Sequence, residues 1–233
     1  LPDSVIGAGT IPDGGVTLIM DNYRWAQVPR IVDNDQDIFR ILQGFRGSFG
    51  NWDWDGAVMY SKADQTDVTH NRISNTLMQE ALNDPTSAAF NPFGGRTNTN
   101  IERTLIDVYR NNETELKLAD FKISNPEIFE LPAGPVALLA GIELRNEYFL
   151  DDRDPRLDGT INFTDADGQT FPVISDVLNS SPSFDSEGDR DVTSLFTELQ
   201  IPVFENLDVQ LAARYEDLSD VGDTTVGRIA VGW

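Results

Sequence analysis

Cysteine is absent from the chain, which removes disulfide scaffolds, thiolate metal sites and cysteine nucleophiles in one step while leaving the compartment open. Histidine occurs once. His70, in "DVTHNR", has neither a second histidine for a zinc site nor an adjacent carboxylate arrangement, so it reads as a solvated loop residue and not as a catalytic base. Positive charge is scarce, with 17 Lys and Arg against 39 Asp and Glu and a formal net charge of −22. Phosphate attraction is the main affinity term for nucleic acids, so such a partner is disfavoured. No run approaches the ~18 to 20 apolar residues that a spanning helix needs, and the first residues lack the basic, apolar and small-residue pattern of a signal peptide. A membrane role would therefore have to use strands. There is no G-x-S-x-G elbow, P-loop or dinucleotide glycine fingerprint, and the expectation is that the chain is not an enzyme. The glycines of "FNPFGG" at 90–95 read as a turn held by proline and glycine, since a phosphate cradle would need a following helix.

What is present is alternation. The 233 residues are 39% hydrophobic, enough for one large domain or two small ones. In "ELPAGPVALLAGIELRNEYF", residues 130–149, one row holds Val136, Leu138, Ala140, Ile142 and Leu144, and the other ends in Glu143, Arg145 and Glu147. The same two-residue period places Phe39, Ile41, Phe45 and Phe49 opposite in parity to Arg40 and Arg46. "GN" at 50–51 then reads as a tight turn, and the returning run alternates Trp52, Trp54, Val58 and Tyr60 with Asp53, Asp55 and Ser61. A second hairpin turns at "EN": Leu195, Leu199, Ile201 and Val203 alternate with Glu198 and Gln200, and then Leu207, Val209, Leu211, Ala213 and Tyr215 alternate with Asp208, Gln210, Arg214 and Glu216. A further strand is expected in 224–233, and a weaker one in 114–123, where the apolar row changes parity midway. The apolar rows suit either a soluble core or lipid.

Connection lengths are unequal. Some turns are short, whereas connections of about 66–113 and 150–191 are long, the second strongly acidic, and loops of that length are usually functional or mobile. In the first, Ile73, Leu77, Met78, Ala81 and Leu82 fall at helical spacing before Pro85, which predicts a short loop helix. Transmembrane barrels combine short periplasmic turns with long extracellular loops, and Trp52, Trp54, Tyr148, Phe149, Phe204 and Tyr215 lie near strand ends, where interfacial aromatics collect. A soluble sheet can also carry aromatics at its core edge.

Four blocks carry a resemblance. "GFRGSFGNWDWDGAVMYSKADQTD", "FNPFGG", "LPAGPVALLAGIELRNEYF" and "SLFTELQIPVFENLDVQLAARYEDLSDVGDTT" agree in order, spacing and content across residues 44–225. Together they resemble the barrel region of TonB-dependent outer-membrane receptors. "VGDTTVGRIAVGW" departs from the pattern, because many members of the family carry an Asn-Pro-containing stretch after the paired threonines. The resemblance implies an all-β fold: an antiparallel meander of long hairpins forming a segment of a 22-stranded barrel. It also implies a plug in an N-terminal region that engages the TonB complex, contact with outer-membrane lipid, and import of a small nutrient of the iron-chelate, cobalamin or oligosaccharide class. Such a barrel needs at least ~220 residues in strands alone. With loops this long the chain can supply about seven to ten strands, so it is expected to be a piece of a longer receptor.

A charge at the lipid midplane costs about 2 to 4 kcal/mol for Arg or Lys, so Arg40, Arg46, Glu143, Arg145, Glu147, Glu198, Gln200, Arg214 and Glu216 are expected to face the lumen. There they would make salt-bridge ladders, plug contacts or substrate contacts. "DNDQD" at 33–37 and "TDADGQT" at 164–170 raise a loop-ordering Ca²⁺, although neither ends in the bidentate glutamate of a calcium-binding helix-loop-helix. No other cofactor is expected. Two further readings fit the alternation, a soluble β-sandwich binding module or adhesin without transport activity, and a small closed barrel. In a sandwich two apolar rows would interdigitate, while in a barrel they would stay exposed.

Overall fold

The computed structural model describes residues 23–94, 100–165 and 167–233. Seven long strands form one antiparallel sheet: β1 (Ile31–Phe49), β2 (Trp52–Ile73), β3 (Leu105–Leu131), β4 (Gly134–Arg153), β7 (Ser186–Phe204), β8 (Leu207–Leu218) and β9 (Gly222–Gly232). Their order is β1-β2-β3-β4-β7-β8-β9, a meander in which each strand pairs with its predecessor in the sheet. The other two, β5 (Asn162–Thr164) and β6 (Thr170–Ser175), make a small separate hairpin inside the β4–β7 connection. The all-β antiparallel expectation holds. The sheet is open: β1 hydrogen-bonds only to β2, and β9 only to β8, among the described residues.

The turns sort by end. At one end β1 and β2 join through Gly50 and Asn51, β3 and β4 through Pro132 and Ala133, and β7 and β8 through Glu205 and Asn206. Gly50 has φ +60° and Asn51 is not positive, the pattern of a type II′ turn whose twist matches the strands it joins. At the opposite end the connections are 74–104, 154–185 and the short 219–221. Strand pairing thus consumes more of the chain than the sequence predicts, since β2 continues to Ile73 and β3 starts at Leu105, trimming the expected 66–113 loop. Likewise β4 reaches Arg153 and β7 begins at Ser186, trimming 150–191. The expected 114–123 strand is the middle of β3, where Leu116 and Leu118 share a face with Arg145 and Glu147 while Phe121 and Ile123 share the other with Ile142 and Ala140. Both parities are apolar there, so alternation is masked. Strand expectations before residue 23 lie outside the described residues.

The two long connections are knitted together. Helix α1 (Asn75–Leu82) is capped by Ser74, whose Oγ accepts from the Leu77 amide at 3.1 Å and donates to the Asp176 carboxylate at 2.7 Å. Met78 and Ala81 of α1 bury against Ile73, Phe90 and Ile101, with Tyr23, Trp25 and Leu178 packed around them. The Asn75 amide donates to Asp176 O at 2.6 Å and the Leu178 amide to Ile73 O at 2.8 Å, tying the second connection to the first. A one-turn helix, α2 (Pro155–Asp158), opens that second connection behind an Asp154 cap. The principal apolar core of the described residues is therefore this cap over one end of the sheet, not a layer against the sheet's face.

Glycines meet aromatic rings across the ladder. Gly47 faces Trp54, Gly56 faces Phe121, Gly141 faces Phe196 and Gly188 faces Phe149, each pair directly opposed in register. A Cβ on Gly141 would lie 2.3 Å from Phe196 Cζ and 2.9 Å from the Phe121 carbonyl oxygen. The missing side chain lets the ring lie flat on the sheet. Gly141→Val is expected to destabilise the fold by about 1 to 3 kcal/mol through overpacking, read as a lower denaturation midpoint. Adding Phe196→Ala should recover only part of the loss, because the Phe121 backbone contact remains.

Candidate functional site

The register assembles two opposite faces across all seven strands. On one, Phe39, Ile41 and Phe45 of β1 continue through Val58 of β2, Phe121 of β3, Ile142 and Leu144 of β4, Leu195 of β7, Leu211 of β8 and Ile229 of β9. Most of these side chains are uncovered, Phe39 being 57% exposed, Leu195 49% and Ile229 75%, while Leu211 is half-buried. Val136 is the exception at 1%, beside the bulge between Asn125 and Phe129 that shifts the β3–β4 register. Toward the long-connection end the same face becomes ionic, where Lys62 pairs with Asp64 at 3.2 Å and Glu113 at 3.0 Å, and Lys117 with Glu115 at 3.2 Å. Tyrosines mark the change, with Tyr60 Oη donating to Glu115 at 2.9 Å and Tyr148 Oη to Glu187 at 2.9 Å.

The opposite face carries all nine candidate residues. Glu143, Arg145 and Glu147 of β4 and Arg214 and Glu216 of β8 form one alternating ladder: Arg145 Nε lies 2.8 Å from Glu147 and its Nη1 3.5 Å from Glu143, while Arg214 Nη2 lies 3.5 Å from Glu143 and 2.8 Å from Glu216. Fully buried Ser194 of β7 completes it by donating to Glu216 at 3.0 Å and accepting from Arg214 at 3.0 Å. Arg214 also sits 5.7 Å above the Phe196 ring. Nearer the short turns, Gln210 donates to Glu198, and Glu198 and Gln200 line a cavity of about 270 Å³ with Asp53, Ser124 and Asn125. Arg40 and Arg46 stand apart on the edge strand, without an ion pair among the described residues. Arg46 faces Asp55, whose carboxylate pairs instead with Lys122 at 3.2 Å.

Half-exposed pairs of this kind contribute about 0 to 1 kcal/mol each. The ladder's main effect is therefore positional. It holds five charges at fixed points on two strands, with opposite signs alternating, a polar wall that can hydrogen-bond a solute or a packed segment.

His70 is not a loop residue. It lies on β2 at a bulge, followed by Asn71 with φ +59°, and the bulge aims the imidazole between two strands. Nδ1 is 2.8 Å from Asp107 of β3 and Nε2 is 3.1 Å from Asp33 of β1. The sequence gives no hint of this, since the partners are 37 residues away on either side.

The two segments considered for calcium differ in form. "DNDQD" is extended within β1, and Asp165 Oδ1 accepts from the Asp167 amide at 3.0 Å and the Gln169 amide at 2.8 Å. Ala166 lies outside the described residues. Among the described residues no group of three or more His, Asp or Glu side chains is placed to hold a metal ion. "FNPFGG" forms a turn in which the Gly94 amide donates to Asn91 O at 3.0 Å and the Phe93 amide to Asn91 Oδ1 at 3.0 Å, with Gly95 outside the described residues.

Known families offer no match. Compared with protein families the chain matches none, and no curated protein sequence matches it.

The imidazole clamp yields a pH dependence. Hydrogen bonds to Asp107 first, and to Asp33, raise the His70 pKa above its usual value, and His70 in turn lowers that of Asp107. A raised histidine pKa contributes stability that is complete below the unfolded value of about 6.5 and is lost as pH rises through the folded value. The denaturation midpoint is expected to fall as pH rises above about 6.5 and through the raised folded value, and this fall should shrink in His70→Gln. Because the chain has one histidine, its ring signals report the titration without ambiguity.

Proposed function

We propose that this chain is part of the barrel wall of a TonB-dependent outer-membrane receptor importing a small, scarce nutrient of the iron-chelate, cobalamin or oligosaccharide class. The observation that carries the reading is the uncovered apolar belt running across all seven strands, backed on the reverse face by ion pairs. A soluble sandwich would press a second sheet onto that belt, and the residues on it are exposed instead. Acyl chains would cover it.

The dimensions suit a bilayer. From Trp52 to Tyr60 the apolar row of β2 covers ~26 Å along the strand at about 3.3 Å per residue. A tilt of ~40° reduces that to ~20 Å, near the ~25 Å apolar band of outer-membrane barrels. Phe49, Trp52 and Phe204 lie at the short-turn end and Tyr60, Tyr148 and Tyr215 toward the other, where interfacial aromatics belong. Phe149 does not join them, because it lies on the ionic face over Gly188. The short turns would then be periplasmic and the cap extracellular.

The open edges of β1 and β9 bear on size. Unpaired backbone groups are costly in hydrocarbon, so in a membrane both edges would pair with further strands, in keeping with a 22-stranded barrel of which these seven are one arc. The charge ladder would face its lumen, against a plug that an N-terminal region supplies and that the TonB complex engages.

Adjacent residues on opposite faces give the test. Leu211→Arg, on the belt, is expected to destabilise the protein folded in lipid bilayers by about 2 to 4 kcal/mol, whereas Ala212→Arg, on the ionic face, should cost far less. Equal penalties, or a full-length parent that stays folded and monomeric in buffer without lipid or detergent, would sink the reading.

A further inference from the structure

Basic residues are outnumbered more than two to one by acidic ones in this chain, yet four arginines line one cavity. At the long-connection end of the ionic face, the 154–185 segment borders an open cavity of about 290 Å³ lined by Arg30, Arg72, Arg110 and Arg153, with Asp67 the one carboxylate in the lining. Two features of the ladder put them there. The His70–Asn71 bulge shifts the β2–β3 register so that Arg72 pairs with Ile106 and returns to the ionic face, and Arg110 of β3 stands directly opposite Arg153 of β4.

Like charges in direct opposition are unfavourable, and one carboxylate reconciles them. Asp151 accepts from Arg110 Nε at 2.7 Å and Nη2 at 2.8 Å, and from Arg153 Nη2 at 2.9 Å, which holds its own pKa at about 2. In the lining itself four guanidiniums face the single carboxylate of Asp67. Arg153 Nε is buried without a hydrogen-bond partner. Arg72 donates to the Leu178 carbonyl at 3.1 Å but has no carboxylate partner among the described residues, and burial together with the neighbouring Arg30 lowers its pKa. Asp152, Asp154 and Asp185 stand outside the lining, hydrogen-bonded to Asn111, the Arg156 amide and the Arg153 amide, and with Asp158 they keep negative charge near Tyr109, whose pKa is raised by burial and by these acids. The hydroxyls of Ser180 and Ser183, also in the lining, have no partner among the described residues.

Orphaned guanidinium donors, a like-charge pair and free hydroxyls around one cavity are the complement of an oxyanion. We infer that this cavity binds the carboxylate or phosphate group of a small anionic solute. The volume is at the lower end of the ~300 to 1,000 Å³ usual for ligand pockets, so the solute, or the part of it that enters, is compact. The inference stands on the cavity alone and does not require transport.

The experiment is calorimetric titration of the full chain, purified in detergent, with citrate and separately with inorganic phosphate, at low and high salt. At least one anion should bind saturably, more weakly as salt rises. Arg72→Gln should weaken it about tenfold or more, the equivalent of 1.4 kcal/mol, Arg72→Lys should lose less, and Arg228→Gln on β9 should bind as the unaltered protein does. Preference for citrate identifies a polycarboxylate and preference for phosphate a phosphorylated solute. If Arg72→Gln does not fold, as judged by circular dichroism, Arg30→Gln carries the comparison. Failure of both anions to bind the unaltered protein at low salt, or unchanged binding in Arg72→Gln and Arg30→Gln, overturns the inference while leaving the transport reading as it was. Binding by a protein that fails the Leu211 and Ala212 comparison would do the reverse.

Discussion

Register is the constraint on which the rest depends. A strand's side chains alternate with a period of two, so a slip of one residue in any of the six pairings would carry that strand's apolar row to the ionic face and its charges to the apolar one. The ladders from β1 to β9 keep these rows in line. Where the register does shift, at His70–Asn71, between Asn125 and Phe129 and between Pro202 and Phe204, the shift lies toward a strand end, and the middle of the sheet stays continuous. Short turns at one end help to pin the pairing, because a two-residue loop leaves little freedom for sliding.

The faces divide the energetic roles. The apolar belt is where a covering medium contributes most, since each large side chain removed from water is worth about 1.5 to 3 kcal/mol. The ionic ladder contributes little stability and much geometry, because partly solvated pairs nearly offset their own desolvation. Glu143 shows the point. Placed between Arg145 and Arg214, it couples β4 to β8 across the intervening β7, and Ser194 on that strand closes the gap by hydrogen bonding to both partners on β8.

The cap changes what the long connections mean. Acidic segments of this length read as loose loops, but α1, Phe90, Ile101, Leu178 and residues 23–28 share a small core, and Ser74, Asn75 and Thr76 hydrogen-bond to Asp176 of the second connection. A cap built from two connections that also walls the arginine cavity links loop order to access. Ser180 and Ser183 of that segment border the cavity together with Arg72 and Arg153.

Much of the sheet was legible in the residues. The Phe39 to Phe49 row, the Leu207 to Tyr215 row and the "GN" and "EN" turns specify strands, partners and faces because alternation and turn chemistry are local properties, and the nine polar candidates share one face for the same reason. The helix before Pro85 was legible too, from spacing alone. What the sequence could not supply is the meeting of distant groups: His70 with Asp33 and Asp107, Ser194 with the Arg214–Glu216 pair, and four arginines from separate segments around one cavity. Those depend on bulges, register and the fold of the 154–185 connection. A local pattern states which way a side chain points, while only the assembled sheet decides what it points at.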